Sequence, residues 1–518
     1  MNPISRQVRR NFKRRIQKRL AGPILVPRLD PMLTARNIHY EIADRTRGLS
    51  CGGIGVVHQI ARTVGLIDAL DRNVHLLKVH LPYHESDHIL NIAYNVMTGG
   101  TCLEDLELRR NNEVYMDALG ARRIPDPTTA GDFCRRFVSD EQIITMMQAI
   151  NDVRLKVWKQ QPAEFFAKAT LHADGTIART YGECKQGMDI SYDGQWGYHA
   201  LLISLANTRE PLYLVNRSGN RPSAEQADVY LDKAIELCRK AGFLEILMLG
   251  DTDFTQTWKL DEWDQAGDVK FIFGVDAMAA LKDRADQLAD SQWKRLARPP
   301  RYQVQTEERA KPDRVKEQIV RERGYQNLVL ECEDVAEFPY RPGKCNRDYR
   351  VVALRKLISV EKGQEQLFKQ HRYFFYITNE RDLPVEQVVF TANDRCDQEN
   401  LIEQLKNGVH AMRNPLDNLH GNWATVPELP EPCLDPQGLV RSADPRARRP
   451  LARTVRGPAA RTGEDGVQAV CEPPDPTAMS VGEDGQADRL PVAVVEPVGG
   501  CLDADERSDA FAVAMLGE

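Results

Sequence analysis

The 518-residue chain lacks three features that would place it in common classes of protein. Its eleven cysteines include no C-x-x-C pair, which argues against a zinc site or a compact disulfide framework and suits a reducing compartment. No apolar run approaches about 18 residues, so no membrane span is expected. The first residues contain no apolar signal segment, so secretion is not expected either. The net charge of −6 neither favours nor excludes a polyanionic partner.

Positive charge is concentrated at the start of the chain. Residues 1–20 hold eight Lys or Arg and no acid. This pattern is typical of an arm that contacts nucleic acid, with Arg9, Arg10, Arg14 and Arg15 as candidate DNA-binding residues. A solvated basic tail is an equally good interpretation, and an Arg-rich transit peptide is a weaker one. We assign residues 1–47 to this arm.

The C-terminal segment 424–518 has an unusual composition. Its 95 residues contain no Lys, Ile, Tyr, Asn, His or Trp, but 12 of the 29 prolines of the chain. Disorder alone tends to enrich Lys, whereas the missing residue types share AT-rich codons. We therefore expect a disordered tail translated from a shifted reading frame that begins near Trp423. A natural Pro/Ala-rich linker is the alternative.

Residues 48–165 have apolar side chains at helical spacing and predict a helical DNA-binding region. The segment "SDHILNIAYNVMTGG" is one such helix, ended by its glycine pair. In "PDPTTAGDFCRRF", Thr128 or Thr129 is the predicted N-cap of a short helix. Arg135 and Arg136 on that helix are candidate DNA-binding residues, although a plain surface helix is the commoner case.

The pattern changes to α/β from residue 166. Segments 166–285 read as three strands, a helix, a strand, a helix and a strand, which predicts a mixed sheet. Ser223 is the predicted N-cap of the first of these helices, and Gly242 is its predicted end. Residues 286–385 then read as successive antiparallel strands, which predicts an inserted β-rich domain. Residues 386–423 follow as a helix that returns to the core.

Three acids and two cations are candidate functional residues. Asp174 and Asp251 end two predicted buried strands, where ligands of open α/β sheets collect. In "NDRCDQENLIEQLKNG", Arg395, Glu399 and Lys406 fall within roughly 40° of one another on an α-helix. A carboxylate between two cations suits a site for metal and phosphate, or a solvated helix with ordinary ion pairs. Carboxylates are the ligands that Mg²⁺ takes, and two such ions can promote phosphoryl displacement.

These residues resemble the signature of DDE transposases of bacterial insertion sequences. The spacing Arg395, three residues, Glu399, six residues, Lys406 matches R-(3)-E-(6)-K, the final motif of the group that contains insertion-sequence family 1380. Ala392 stands where that motif has a tyrosine. The segments "LHADGT" and "GDTDF" are similar to the first and second acidic motifs of the family, although the second departs from D-S-G-F. The resemblance covers roughly residues 48 to 423.

The resemblance implies a fold and a chemistry. The implied fold is α/β, with a ribonuclease-H-like catalytic core, an inserted β-rich domain and a helical N-terminal DNA-binding region. Asp174, Asp251 and Glu399 would be the catalytic residues and would ligate two Mg²⁺ ions, or Mn²⁺ in their place. Arg395 and Lys406 would contact DNA phosphate.

The implied function is DNA cleavage at transposon ends followed by strand transfer. The implied partners are terminal inverted repeats and target DNA, bound by a homodimer on DNA in the bacterial cytoplasm, with no membrane. One alternative is a catalytically impaired remnant that binds DNA and inhibits transposition. A hydrolase acting on sugars through paired carboxylates is a weaker alternative, because of the cations around Glu399.

Overall fold

The structure of this protein is a computed structural model. It describes the following residues: 14, 17, 30–34, 39–41, 51–182, 184–298, 323, 326–362, 365–428 and 489–491. Of the predicted basic arm, Arg14 is helical and exposed, whereas Arg9, Arg10 and Arg15 lie outside the described residues. Most of the predicted tail lies outside them as well.

The N-terminal part is a bundle of helices, as predicted. Within residues 51–182, helices α1 to α7 are Ile54–Thr63, Leu66–Asn73, Glu85–Met97, Leu106–Arg110, Glu113–Ala118, Pro127–Cys134 and Asp140–Trp158. Helix α3 is buried along its whole length, which marks it as the central helix of the bundle. Asp87 in its first turn accepts hydrogen bonds from the backbone N–H groups of Met32 (2.7 Å) and Leu33 (2.8 Å). The segment before the bundle is thereby held against it.

Two of the predicted helix starts were wrong. Helix α6 is capped by Asp126, whose Oδ1 accepts from the N–H of Thr129 at 2.8 Å, and Pro127 takes the first helical position. An N-cap aspartate followed by proline is a stronger start signal than either threonine. Helix α8 (Ala227–Ala241) begins after Gln226 rather than at Ser223, but ends at Gly242 as predicted. Gly242 has a φ of 101°, which favours glycine.

The core is built on a ten-stranded mixed sheet. Strand β1 (His39–Glu41) lies outside this sheet. Strands β2 to β7 are Lys168–Arg179, Asp189–Ile190, Trp196–Leu205, Glu210–Val215, Glu245–Gly250 and Val269–Val275. Strands β2, β6 and β7 are parallel neighbours, while β4 pairs antiparallel with β2, β3 and β5. Helix α9 (Leu260–Gln265) lies between β6 and β7 in the chain. The predicted order of strands and helices in this part is confirmed.

The same sheet continues into the residues predicted to form an inserted domain. Helix α10 and strands β8 to β11 are Ala279–Asp286, Lys294–Arg295, Gln326–Tyr340, Tyr349–Lys362 and Glu365–Thr378. Strand β11 pairs antiparallel with β7, and β10, β9 and β8 follow in order. Three of the five predicted strands are confirmed, and the two within residues 301–323 lie outside the described residues. The strands extend the core sheet directly, and the division into domains stays a prediction.

Apolar side chains cover both faces of the central strands. In β6, Ile246 and Met248 belong to the main core with the helices, whereas Leu247 and Leu249 face a smaller cluster. Helix α11 (Val385–Asn393) covers that smaller cluster with Val388. Burial on both faces is typical of parallel strands and explains the unbroken apolar sequence of β6.

The last helices join the core to the helical bundle. Helix α12 is Cys396–Glu403, a π-helical turn follows at Gln404–Gly408, and helix α13 is Leu419–Glu428. Helix α13 contacts α3, α6, α7 and β5. Its Trp423 is buried, and Nε1 donates to the carbonyl oxygen of Leu214 at 2.7 Å. Elsewhere, β12 (Arg489–Pro491) pairs in parallel with β1.

Candidate active site

Asp174 and Asp251 lie at the same edge of the sheet. Asp174 was predicted to end its strand, and this was wrong. Strand β2 continues beside β4 as far as the pair Arg179 and Gly197. The parallel pairing of β2 with β6, however, stops at His172 and Leu249. Asp174 therefore stands just beyond the carboxyl end of β6, which is where Asp251 follows that strand.

A tight turn fixes the position of Asp251. The residue caps the 3₁₀ turn Thr252–Phe254, and its Oδ1 accepts from the N–H of Asp253 at 3.0 Å. Gly250 before it has no room for a side chain, since a Cβ there would lie 2.8 Å from the Cβ of Phe254. One carboxylate oxygen of Asp251 is thus held by its own backbone, which orients the other.

A buried amide docks helix α12 against the strands that carry Asp174. Gln398 is 1% exposed, and its Nε2 donates to the carbonyl oxygens of Leu202 (3.2 Å) and His172 (3.4 Å). Leu401 and Leu405 are buried on the same side of the helix. Glu399 is exposed at the sheet edge beside this contact. The sequence analysis missed Gln398, although its spacing of three and seven residues from the two leucines marks it as part of the buried face.

Arg395 binds Asp174 directly. Its guanidinium donates to Oδ2 of Asp174 at 3.1 Å, and both side chains are largely buried, with exposures of 20% and 13%. The guanidinium also acts on Asp251, since it lowers the pKa of that carboxyl against the stronger effect of burial. Arg395 therefore binds one of the two predicted acids and influences the charge of the other.

The acids influence one another. Burial raises the pKa of Asp174 to about 6, Arg395 opposes this, and the charges of Asp251 and Glu399 raise it further. The pKa of Asp251 is raised too, mainly by burial. Like charges raise the pKa of a neighbouring carboxyl only when they lie near it. The fold thus brings the three predicted acids into one electrostatic cluster from distant parts of the sequence.

Lys406 is near the same cluster, but on a different backbone from the one expected. It belongs to the π-helical turn, so the continuous α-helical stripe predicted from Arg395 to Lys406 is wrong in its second half. Burial lowers the pKa of the Lys406 ammonium, and the charge of Glu403 opposes this. The charge of Arg179 lowers the pKa further, and Asp174 raises it slightly. Lys406 and Arg179 therefore form a cationic flank beside Asp174, of which the sequence analysis identified only Lys406.

The donor set suits a hard divalent cation. Carboxylate oxygens are the preferred protein ligands of Mg²⁺, and a cation would relieve the repulsion that raises the pKa of Asp174. In the part of the chain that the structure describes, no three His, Cys, Asp or Glu side chains are close enough to hold one ion. The metal and catalytic roles of Asp174, Asp251 and Glu399 stay predictions.

The two predicted DNA-binding arginines of the helical region differ in their surroundings. Arg135 forms ion pairs with Asp132 (3.0 Å) and Asp417 (2.9 Å). Arg136 is exposed and follows the end of α6 rather than lying on it. Both arginines lie just past the last residue of α6 and are exposed, and their contact with DNA stays a prediction.

No helix in the described ranges is long and apolar enough to span a membrane. The scan against protein families matches residues 39–426 to the family described as Transposase DDE domain group 1. The match spans well over half of the chain, including the sheet, the three acids and helix α12. The chain therefore belongs to this family of DDE transposases.

A cryo-EM structure of the piggyBac transposase synaptic complex with hairpin DNA is 11% identical, with a TM-score of 0.37 and 79% coverage of each chain. No curated protein matches the sequence.

Proposed function

We propose that this protein is an active transposase that cleaves DNA at the ends of a mobile element and transfers the freed 3′ ends into target DNA. The observation that carries the proposal is the clustering of Asp174, Asp251 and Glu399 around Arg395, in a chain that belongs to a DDE transposase family. An acidic cluster flanked by cations is the arrangement needed to hold metal and phosphate together. The reaction class is polynucleotidyl transfer.

The strand order supports a ribonuclease-H-like core. Strands β5, β4, β2, β6 and β7 are adjacent in that order, with the first three antiparallel and the last three parallel. Asp174 lies on β2, and Asp251 directly follows β6. Glu399 lies on α12, which comes after the antiparallel strands β9 to β11. Such a core gathers acids at the carboxyl edge of its parallel strands.

Asp174, Asp251 and Glu399 would hold two Mg²⁺ ions, or Mn²⁺ in their place. When bound, such ions activate the attacking oxygen and stabilise the leaving oxygen. Arg395 would exchange part of its contact with Asp174 for a DNA phosphate, and Lys406 would bind a neighbouring phosphate. Their burial makes each cation a stronger phosphate ligand than a solvated one.

Finer assignments follow from the sequence resemblance. We propose that the protein comes from a bacterial insertion sequence related to family 1380, acts on terminal inverted repeats as a homodimer, and works on DNA in the cytoplasm. The R-(3)-E-(6)-K spacing of Arg395, Glu399 and Lys406 supports this placement.

A cleavage assay tests the function. The purified full chain is incubated with duplex DNA that carries the end of its element, with Mg²⁺ or Mn²⁺, and nicked strands are resolved on a denaturing gel. We expect 3′-end cleavage that Glu399→Gln abolishes. Glu164→Gln, an exposed glutamate in the turn before β2, is the matched control and should cleave normally. Equal cleavage by the Glu399 variant would contradict the assigned site.

The inhibitor remnant is the second candidate. The family match ends at residue 426, where the composition of the chain changes. This coincidence favours a protein that has lost part of its C-terminal machinery. A remnant would bind end-containing DNA but cleave it with neither ion, and it would reduce cleavage by an intact relative mixed with it.

A further inference from the structure

A concave pocket lies in the helical region, apart from the acidic cluster. Its volume is about 520 Å³, and it lies between α3, α6 and the loop that precedes α3. None of the three clustered acids lines it. Pockets of about 300–1,000 Å³ suit single small ligands or one inserted group, and a DNA duplex is too wide to enter.

The pocket has a positively charged rim. Arg110, Arg123 and Arg136 line it, and Arg136 is exposed. Three of the lining charges already have partners inside the protein: Asp126 caps α6, Asp132 pairs with Arg135, and Arg110 pairs with Glu107 at 2.9 Å. The rim is therefore suited to an anion, because its guanidiniums outnumber its carboxylates. Guanidinium groups favour phosphate through paired N–H donors.

The interior of the pocket is apolar and aromatic, with one buried polar group. His88 is 4% exposed and stacks on Phe133, with ring centroids 4.3 Å apart and planes within 3°. Tyr83 meets the His88 ring edge-on at 5.6 Å. The Nδ1 atom of His88 has no hydrogen-bond partner among the described residues. Buried polar atoms are almost always paired, so His88 brings to the pocket wall a polar ring whose hydrogen-bonding capacity the described residues do not fill.

The neutral state of His88 defines what that partner offers. Burial, with a smaller contribution from the charge of Arg136, lowers the pKa of His88 to about 3. The ring is therefore neutral at physiological pH and cannot bind an anion by charge. It can exchange a hydrogen bond with a neutral polar edge. The ligand thus needs an anionic end for the arginines and a planar body with a polar edge for the interior.

We propose that this pocket takes one nucleotide of a DNA strand, unstacked from its neighbours, with its phosphate on the arginine rim and its base beside His88. The free-energy cost of extracting a base from the stack is offset where a protein pocket replaces its stacking and hydrogen bonds. The inference rests on the proposed function, because a transposase supplies the DNA. It adds a second recognition point, separate from the cleavage centre.

The test uses a fluorescent base as the probe. In end-containing duplexes, 2-aminopurine replaces one base at a time, and the full chain is added to saturation without divalent metal. We expect the signal at one position to rise at least about threefold, since the fluorescence of this base increases when it leaves the stack. The same complexes give the overall affinity through anisotropy of a terminal dye.

Three variants connect the signal to the pocket. Arg136→Gln removes a rim charge, and His88→Phe keeps the ring stack while removing the polar edge. Both should lose the rise at that position. Arg122→Gln, an exposed arginine that does not line the pocket, is the matched control and should keep it. Thermal unfolding of each variant checks that His88→Phe has kept the fold.

Three outcomes would overturn the proposal. One is a rise at no position in the wild type, and another is a rise that survives in both pocket variants. The third is binding of free deoxynucleoside monophosphates that Arg136→Gln weakens while the DNA signal stays unchanged, which would make the pocket a small-molecule site. The cleavage assay separates these failures from failure of the proposed function, since cleavage without base extraction rejects the pocket alone.

Discussion

The acidic cluster and the arginine pocket place charge in opposite ways. In the cluster, the charged groups themselves are buried. Arg395 lowers the pKa of Asp174, whereas burial and the neighbouring acids raise it. In the pocket, the charges lie at the rim and the buried polar group, His88, is neutral. The cluster therefore holds acids whose pKa is raised, whereas the pocket carries its cations at the rim. Under the proposed function and the proposed nucleotide pocket, this difference separates the place of reaction from a place of recognition.

The largest expected effect comes from removing one carboxylate of the acidic cluster. Asp174→Asn should reduce end cleavage by at least about a thousandfold, because a catalytic unit fails when one member is lost. DNA affinity should change little, since it is spread over many phosphate contacts. Gel cleavage and anisotropy measured on the same preparation check both parts. A parallel loss of affinity would show that Asp174 supports folding or binding instead.

The second prediction concerns a buried ion pair that lies outside both the cluster and the pocket. Arg154 pairs with Glu210 at 2.6 Å, and the side chains are 7% and 9% exposed. Arg154→Ala should lower the free energy of unfolding by about 3–5 kcal/mol, because Glu210 would remain buried without its cation. Urea unfolding measures the change. Arg239→Ala, which breaks an exposed pair with Asp268, should cost at most about 1 kcal/mol.

The third prediction uses pH to sharpen the comparison. The pKa of Asp174 is about 6 in the folded protein and near 3.8 when unfolded, so ionisation favours the unfolded chain. The contribution of Asp174 to stability is fully present below pH 4 and is lost as the pH rises through about 6. Relative to Asp174→Asn, the wild type should therefore lose about 2–3 kcal/mol between pH 4 and pH 7. Urea unfolding at the two pH values measures it, and parallel changes in both proteins would contradict it.

The smallest effect concerns the helix that joins the two regions. Trp423→Phe keeps an aromatic ring in the core, but it removes the hydrogen bond from Nε1 to Leu214 and leaves a small cavity. We expect a loss of about 1 kcal/mol in the free energy of unfolding. Trp258→Phe removes a similar bond to Asp228 at an exposed site and should cost less. Equal losses in the two variants would show that burial does not decide the value of this bond.

Much of the fold follows from periodicity in the sequence. The helix containing "SDHILNIAYNVMTGG" and the unbroken apolar strand before Asp251 were predicted because their patterns match helical spacing and two-sided burial. The continuation of β2 past Asp174 was missed, since the pairing partner that sustains it, β4, comes later in the chain. Direct joining of β11 to β7 could not be foreseen for the same reason.

The candidate site was predictable in its residues but not in its contacts. The order and spacing of Asp174, Asp251 and Glu399 led to all three acids, because the resemblance depends on sequence alone. The contact of Arg395 with Asp174 depends on the docking of α12 through Gln398, which only tertiary structure determines. The π-helical turn at Lys406 breaks helical phase and leaves no mark in the apolar pattern.

The position of helix α13 has a consequence for synthesis of the protein. Trp423 completes a core whose other helices end at residue 158, so the bundle waits for roughly 270 more residues before it can close. At about 5–20 residues per second on the ribosome, that interval lasts about 15–55 s. Through this time the faces of α3, α6 and α7 that α13 covers remain open to water and to other nascent chains. The helical region thus depends on helix α13, the last of these helices to be made, for protection from aggregation during synthesis.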